Sequence, residues 1–318
     1  MPMLIGIDVG GTNLRLGLVD VASSAELIKP HLVEEIRFQA DFSSFCQLHQ
    51  HAPAQAWQTI LETIVNAINR VRDQYPEVSA VGIGFPGFID PHTQVISQSP
   101  NLPGLHQVDL TTDLSALIGL PVITENDALA AAYGEYVMHP SRLKNLIYMG
   151  LGTGVGGGLI LNGRPFQGAH GVAMEVGHII VHDGGRLCGC GNHGCMEQYA
   201  SASGVAISYF EATQQHCTAA DIAGRAKLGD LAAVAAYALA GKSLAQALAQ
   251  VLKVIDVTDV VLGGGMSAAW TLMASSFQQQ LTHDLIPALR GKVNLRISNM
   301  GDQAGIVGAA MLASSLNG

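Results

Sequence analysis

The apolar positions fall into short runs, helical stripes and glycine-separated pairs. Residues 4–9 and 14–19 are two apolar runs joined by Gly10-Gly11-Thr12-Asn13, the pattern of a β-hairpin. Over 54–75, Trp57, Ile60, Leu61, Ile64, Ile68 and Val71 recur at the spacing of one helical face. A strand is predicted at 79–85 and a loop at 86–91, then a helix at 110–118, a short buried strand at 121–124 and an Ala-rich helix at 128–138. Residues 146–151 and 157–161 make a second glycine-separated strand pair, followed by a loop-rich stretch over 162–198. A strong helical pattern covers 231–256, with a break expected at Gly241. A strand at 257–262 ends in Gly263-Gly264-Gly265 and leads into a helical stretch, and 304–316 closes the chain as a helix.

The opening unit is echoed once. LIGIDVGGT (4–12) is matched by LIYMGLGT (146–153), each an apolar strand, a Gly-Thr turn and a second strand. Two α/β lobes with a cleft between them follow, expected as 1–120 and 121–303, with the helix at 304–318 returning to the first.

Composition narrows the class. The chain has 318 residues, 48% of them hydrophobic and 13% charged, which excludes a largely disordered chain. A net charge of −9 with 16 Lys and Arg argues against a nucleic-acid partner. Five cysteines, an odd number, and no basic-apolar leader point away from a disulfide framework and toward the cytoplasm. The uncharged run at 260–277 is broken by three glycines, so no membrane span is expected. Glycine is in excess, at 37 residues, and 15 of these lie between positions 150 and 194, which focuses attention on that segment.

Gly82-x-Gly84-x-x-Gly87 and Gly152-x-Gly154-x-x-Gly157 both match a dinucleotide-binding spacing. That motif requires a helix straight after the turn, and Pro86 at the first site and Leu159-Ile160-Leu161 at the second deny it. Phosphate capture by hairpin turns remains, with Gly10, Gly11 and Thr12 in one turn and Thr153 and Gly154 in the other. Asp8 at the first strand end can hold Mg²⁺ directly or through water. Gly264 lies in a turn that fits either adenosine contact or a plain strand-to-helix connection.

Asn126 and Asp127 stand between an apolar strand and an Ala-rich helix. Asn126 can cap that helix while Asp127 accepts a proton from an attacking hydroxyl; an ordinary carboxylate is already ionised at pH 7, so no raised pKa is required. Cys188-x-Cys190-x₄-Cys195 supplies three thiolates, and His178, His182 or His193 a fourth ligand, the inventory of a closed structural zinc site. Glu175 and Glu197 flank this cluster and could be aimed at polar hydroxyls.

DVGGTNLR (8–15), GIGFPG (82–87), PNLPG (100–104), ENDA (125–128), LGTGVGGG (151–158), GAHGVAMEVGH (168–178), CGCGNHGCME (188–197) and VVLGGG (260–265) together resemble the ROK family of sugar kinases, over nearly the whole chain. The resemblance implies an α/β fold of the duplicated, ribonuclease-H-like (actin-like) kind with central mixed sheets and a zinc-ordered loop. It implies Asp127 as catalytic base and Asn101, Asn126, Asp127, Glu175, His178 and Glu197 as sugar ligands. His178, Cys188, Cys190 and Cys195 become the zinc set, and the assembly a homodimer. Met174 departs from the pattern, standing where the family usually has glycine in A-G-E-x-G-H, which leaves the local backbone open. The family's repressors carry a DNA-binding region ahead of the glycine loop; with that loop starting at residue 8, none is expected here.

The function expected is ATP-dependent transfer of a phosphoryl group, with Mg²⁺, to the 6-hydroxyl of an aldohexose, glucose first. The alternatives are an N-acetylhexosamine (N-acetylglucosamine or N-acetylmannosamine), allose or fructose as acceptor, and last a non-enzymatic sugar sensor.

Overall fold

The computed structural model describes residues 3–10, 13–24, 27–141 and 143–317. Along the chain run β1 (Met3–Val9), β2 (Asn13–Ser24), β3 (Leu27–Gln39), α1 (Phe42–Leu48), α2 (Pro53–Arg72), β4 (Val78–Phe85), β5 (Phe88–Ile89), β6 (Ile96–Gln98), β7 (His106–Val108), α3 (Leu110–Ile118), β8 (Val122–Asn126) and α4 (Asp127–Val137). Then come β9 (Leu146–Leu151), β10 (Val155–Leu161), β11 (Arg164–Pro165), α5 (Glu197–Ala200), α6 (Ala202–Thr213), α7 (Ala219–Lys227), α8 (Leu231–Ile255), β12 (Asp259–Gly263), α9 (Trp270–Asp284), β13 (Asn294–Ile297) and α10 (Gln303–Ala313).

Two five-stranded sheets share one plan. The first has the order β3-β2-β1-β4-β8 and the second β11-β10-β9-β12-β13, so a first strand sits centrally in each. In the first, β1–β2 and β2–β3 are antiparallel, while β1–β4 and β4–β8 are parallel. In the second, β12 pairs in parallel with both β9 and β13. Each parallel step needs a crossover, which α2 supplies between β1 and β4, α3 between β4 and β8, α5 to α8 between β9 and β12, and α9 between β12 and β13. The repetition of strand order is the structural form of the echo between 4–12 and 146–153.

The chain divides into two compact units, Met1–Lys144 with Gly158–Ala173 and Asp302–Gly318, and Asn145–Gly157 with Met174–Gly301. A cut at 120/121 passes inside the first unit, because β8 pairs with β4 along Val81–Phe85. In that unit α10 lies on β1, β4 and α4. Gly6 and Gly82 let it do so, since a Cβ at either would strike the α10 carbonyls of Ile306 or Ala309, and Gly308 meets α4 at Ala130 in the same way. Gly82 therefore serves the close approach of a helix.

One further expectation is corrected. The break at Gly241 is absent: α8 runs unbroken over 25 residues, and Gly241 instead admits the α9 backbone at Met273. Among the described residues that helix, rather than the run at 260–277, is the one long and apolar enough to cross a membrane, but 56% of its most apolar window is buried. The run at 260–277 holds β12 and the start of α9. Both candidate dinucleotide turns lead into strands, β5 and β10, not helices.

Candidate active site

The first unit carries an acidic group at the ends of β1 and β8. Asp8 lies near the end of β1, opposite Arg15 on β2. Its carboxyl lies beside Gly305 in the first turn of α10, where the helix dipole favours negative charge. Arg15 Nη1 is 3.4 Å from Asp8 and 2.8 Å from Asp302. Burial and the neighbouring Asp127 charge push Asp8 up to about 7, against the pull of Arg15. A carboxyl held so high, next to a second carboxyl, is a group that a cation would return to its charged form. Gly10 N–H bonds the Asn13 carbonyl at 2.8 Å, closing the turn from β1 to β2. Gly11 and Thr12 lie outside the described residues.

Asn126 ends β8 and caps α4, its Oδ1 accepting the Leu129 N–H at 3.1 Å. Its Nδ2 donates to the Gly87 carbonyl at 3.1 Å. With the cap taken, Asp127 is the first residue of α4, and its Oδ1 accepts the Ala128 N–H at 2.8 Å. Burial raises the Asp127 carboxyl above the ordinary range, against these hydrogen bonds. No raised value is required for a base at pH 7, yet this site imposes one. Asn101 stands in an exposed turn before the buried Leu102.

In the second unit the turn between β9 and β10 is held by Gly152 N–H to the Gly154 carbonyl at 3.0 Å and by Ala202 N–H to the Gly152 carbonyl at 2.9 Å. Thr153 is exposed at its tip. Gly154 lies against Glu197, for a Cβ there would sit 2.9 Å from Oε2. Gly264, at φ +77°, fits its backbone against Leu151 at the end of β9, so the triple-glycine turn and the Gly152–Gly154 turn begin from adjoining strand ends.

The loop over 178–197 gathers His178, Cys188, Cys190 and Cys195, whose ligand atoms all lie within 4.8 Å of one another. Cys190 Sγ and Cys195 Sγ are 3.6 Å apart, as are Cys188 Sγ and His178 Nδ1. A tetrahedron with metal–sulfur bonds of about 2.3 Å has edges of about 3.7 Å, so the donor set fits zinc. Burial and the other two thiols push Cys195 up to about 12. Burial raises Cys188 as well, while the Asn192 N–H lowers Cys190, and a cation among them would favour all three as thiolates. The alternative histidines are engaged elsewhere: His182 Nε2 lies 3.1 Å from Ser243 Oγ and His193 Nδ1 lies 3.0 Å from the Gly185 carbonyl. His178 turns Nδ1 to the sulfurs, while its Nε2 is 3.7 Å from Glu175. Glu197 stands 3.2 Å from Cys188 Sγ and 3.8 Å from His178 Nδ1.

Met174 keeps the backbone expected of glycine, at φ +66°. Its carbonyl accepts the Val176 N–H at 2.6 Å, and Gly157 on β10 approaches it so closely that a Cβ there would strike the carbonyl oxygen. A side chain is carried in a left-handed conformation rather than the loop being redrawn.

Sequence reasoning did not single out Arg15 and Asp302 as site neighbours, or Glu125 as more than a letter of a motif. Asp302 reads as an ordinary residue before an apolar helix, and only sheet register and helix packing bring it to Arg15.

Residues 4–315 match the ROK family, and the chain belongs to it. A glucokinase of Streptomyces coelicolor is 30% identical over 98% of both chains. An N-acetylmannosamine kinase of Citrobacter koseri is 30% identical over 97% of this chain and 98% of its own. The structure of a ROK family glucokinase from Streptomyces griseus, solved with glucose and AMPPNP, superposes with a TM-score of 0.77 at 30% identity, covering 98% of this chain and 99% of that one.

Proposed function

We propose that this ROK-family, ATP-dependent sugar kinase transfers the γ-phosphoryl group of ATP to the 6-hydroxyl of an aldohexose, glucose first. The observation that carries the reading is the placement of Asp127: a half-buried carboxyl at a strand end, freed from capping by Asn126. Asp127 accepts the proton of the 6-hydroxyl as that oxygen attacks. Burial strengthens it as a base, with the consequence that it must be deprotonated at a pH above the usual carboxylate range. Most of the acceleration comes from positioning and charge stabilisation, as in other phosphoryl transfers.

Gly10, Gly11 and Thr12 in one turn and Thr153 and Gly154 in the other bind phosphate oxygens, and Gly264 contacts the adenosine. Asp8 would hold Mg²⁺, which when bound neutralises phosphate charge. Asn101, Asn126, Asp127, Glu175, His178 and Glu197 bind sugar hydroxyls. His178, Cys188, Cys190 and Cys195 would hold zinc in a closed structural site, leaving His178 Nε2 to face Glu175 and the sugar. The assembly proposed is a homodimer, checked by light scattering on the eluted protein.

The 30% identity shared with an N-acetylmannosamine kinase supports an N-acetylhexosamine as second acceptor class. ADP release measured over glucose, allose, mannose, fructose, N-acetylglucosamine and N-acetylmannosamine separates the two. The reading fails if no sugar in the panel releases ADP.

A further inference from the structure

Glu125 is a buried carboxyl to which the proposed chemistry gives no task. It is 5% exposed on β8, one residue before Asn126. Its hydrogen-bond partners are neutral: Oε1 accepts the Asn126 N–H at 2.8 Å, and Oε2 accepts the Gln167 side-chain amide at 2.6 Å. Burial pushes it up to about 7 although both hydrogen bonds pull it down. Placing a carboxyl in such surroundings is costly, and an apolar strand residue would fill the space without that cost.

What the group contributes is a connection. Asn126 is held at three atoms, its N–H by Glu125, its Oδ1 by the Leu129 N–H and its Nδ2 by the Gly87 carbonyl. Gln167 begins the loop 167–173, which closes on itself through Ala173 N–H to the Gln167 carbonyl at 3.2 Å. The loop is docked on the same unit, since Gly171 at φ +69° lies so close to Ile89 that a Cβ would strike its carbonyl oxygen. One carboxyl thus grips the residue beside Asp127 with one oxygen and, with the other, the loop that ends two residues before Glu175.

We propose that Glu125 and Gln167 form a positioning pair that sets loop 167–173 against the strand end carrying Asn126 and Asp127, and so fixes the sugar relative to the base. The sugar part of this statement rests on the kinase reading; the loop part does not.

Three variants test the pair. Q167A leaves one oxygen of a buried carboxyl without its donor. E125Q keeps both bonds if Gln167 turns its amide over. In E125Q/Q167E the roles are exchanged: the amide now at 125 accepts the Asn126 N–H and donates to the carboxylate now at 167. Q167A should raise the sugar KM about tenfold or more, the range that an unsatisfied buried acceptor produces. The ATP KM should stay within about twofold, whereas a general loss of stability would not separate the two constants. E125Q should stay near wild type, and the exchanged pair should recover the sugar KM to within about threefold. Amide hydrogen exchange over 168–173, which needs no substrate, should be faster in Q167A and slow again in the exchanged pair. Q167N, one methylene shorter, carries the same expectation should Q167A not fold. The pair is overturned if the sugar KM and the exchange over 168–173 are unchanged in Q167A, or if the exchanged pair is as impaired as Q167A. If the wild type phosphorylates no sugar, the kinase reading falls, and the exchange measurement alone decides the pair.

Discussion

Asp127 and His178, the two side chains proposed to meet the sugar in the most chemically active roles, are held by different means. Asp127 sits where β8 passes into α4, with sheet pairing behind it and the Asn126 cap beside it. His178 sits in a loop with one short 3₁₀ turn and two isolated bridges between β11 and α5, gathered around three cysteines. The first position is secured by backbone hydrogen bonds that form wherever the strand and helix form. The second is secured by side-chain donors that a bound cation, as proposed above, would hold together. The two halves of the chemistry should therefore fail independently and under different insults.

The largest effect is expected at the base. D127N keeps the shape and the Ala128 hydrogen bond, so sugar binding followed by calorimetry should survive. Turnover should fall by about 10²- to 10⁴-fold. Activity above about 1% of wild type would show that another group takes the proton.

Metal removal should strike the other half. Protein purified without chelator should carry one zinc per chain by elemental analysis, and C190S or prolonged chelation should abolish it. Sugar affinity should then drop while amide protection in β8 and α4 is unchanged. A zinc-free wild type with full sugar affinity would end the idea that His178 couples metal to sugar.

The two regions should also answer pH in opposite senses. Glu125 is raised from 4.5 to about 7 in the folded chain, so the folded state holds a proton that the unfolded state has shed. The stability from this group is complete below about 4.5 and is lost as pH rises through about 7, a span of about 3 kcal/mol. In E125Q, denaturant unfolding without nucleotide should lose that part of the pH dependence. The cysteine ligands, in contrast, must be deprotonated to bind, so the zinc loop weakens as pH falls. Equal pH slopes for E125Q and wild type would remove Glu125 from this account.

The smallest effect belongs to Met174. At φ +66° a side chain is strained where glycine is not. M174G should exceed M174A in stability by about 1 kcal/mol, read from thermal unfolding. The reverse order would mean that the left-handed backbone at this position imposes no strain on a side chain.

How much of this was legible beforehand depended on how local the signal was. The hairpin strands β1 and β2, the helices α2 and α3, and the strand-to-helix passage at Asn126–Asp127 stand close to where periodicity and capping chemistry put them. β3 was not anticipated because it is an edge strand carrying Pro30, His31, Glu34 and Glu35, residues that edges tolerate and that mask a strand pattern. The β5-β6-β7 sheet escaped because its strands are two or three residues long and exist only through pairing with one another. At the metal cluster the cysteines were evident from spacing, while the choice among three histidines was not.

The repeated strand–glycine turn–strand plan, the cysteine cluster and the carboxyl at a strand end follow from local sequence, because each is written in neighbouring residues. It takes the packed chain to turn His178 Nδ1 toward the sulfurs, to commit Gly6, Gly82 and Gly308 to helix packing, and to bring Glu125 to a loop 42 residues away. The same packing lifts Asp8, Glu125 and Asp127 above the ordinary carboxylate range. Burial, close approach and proton affinity are set by what the rest of the chain brings alongside a residue, and a local pattern carries no record of that.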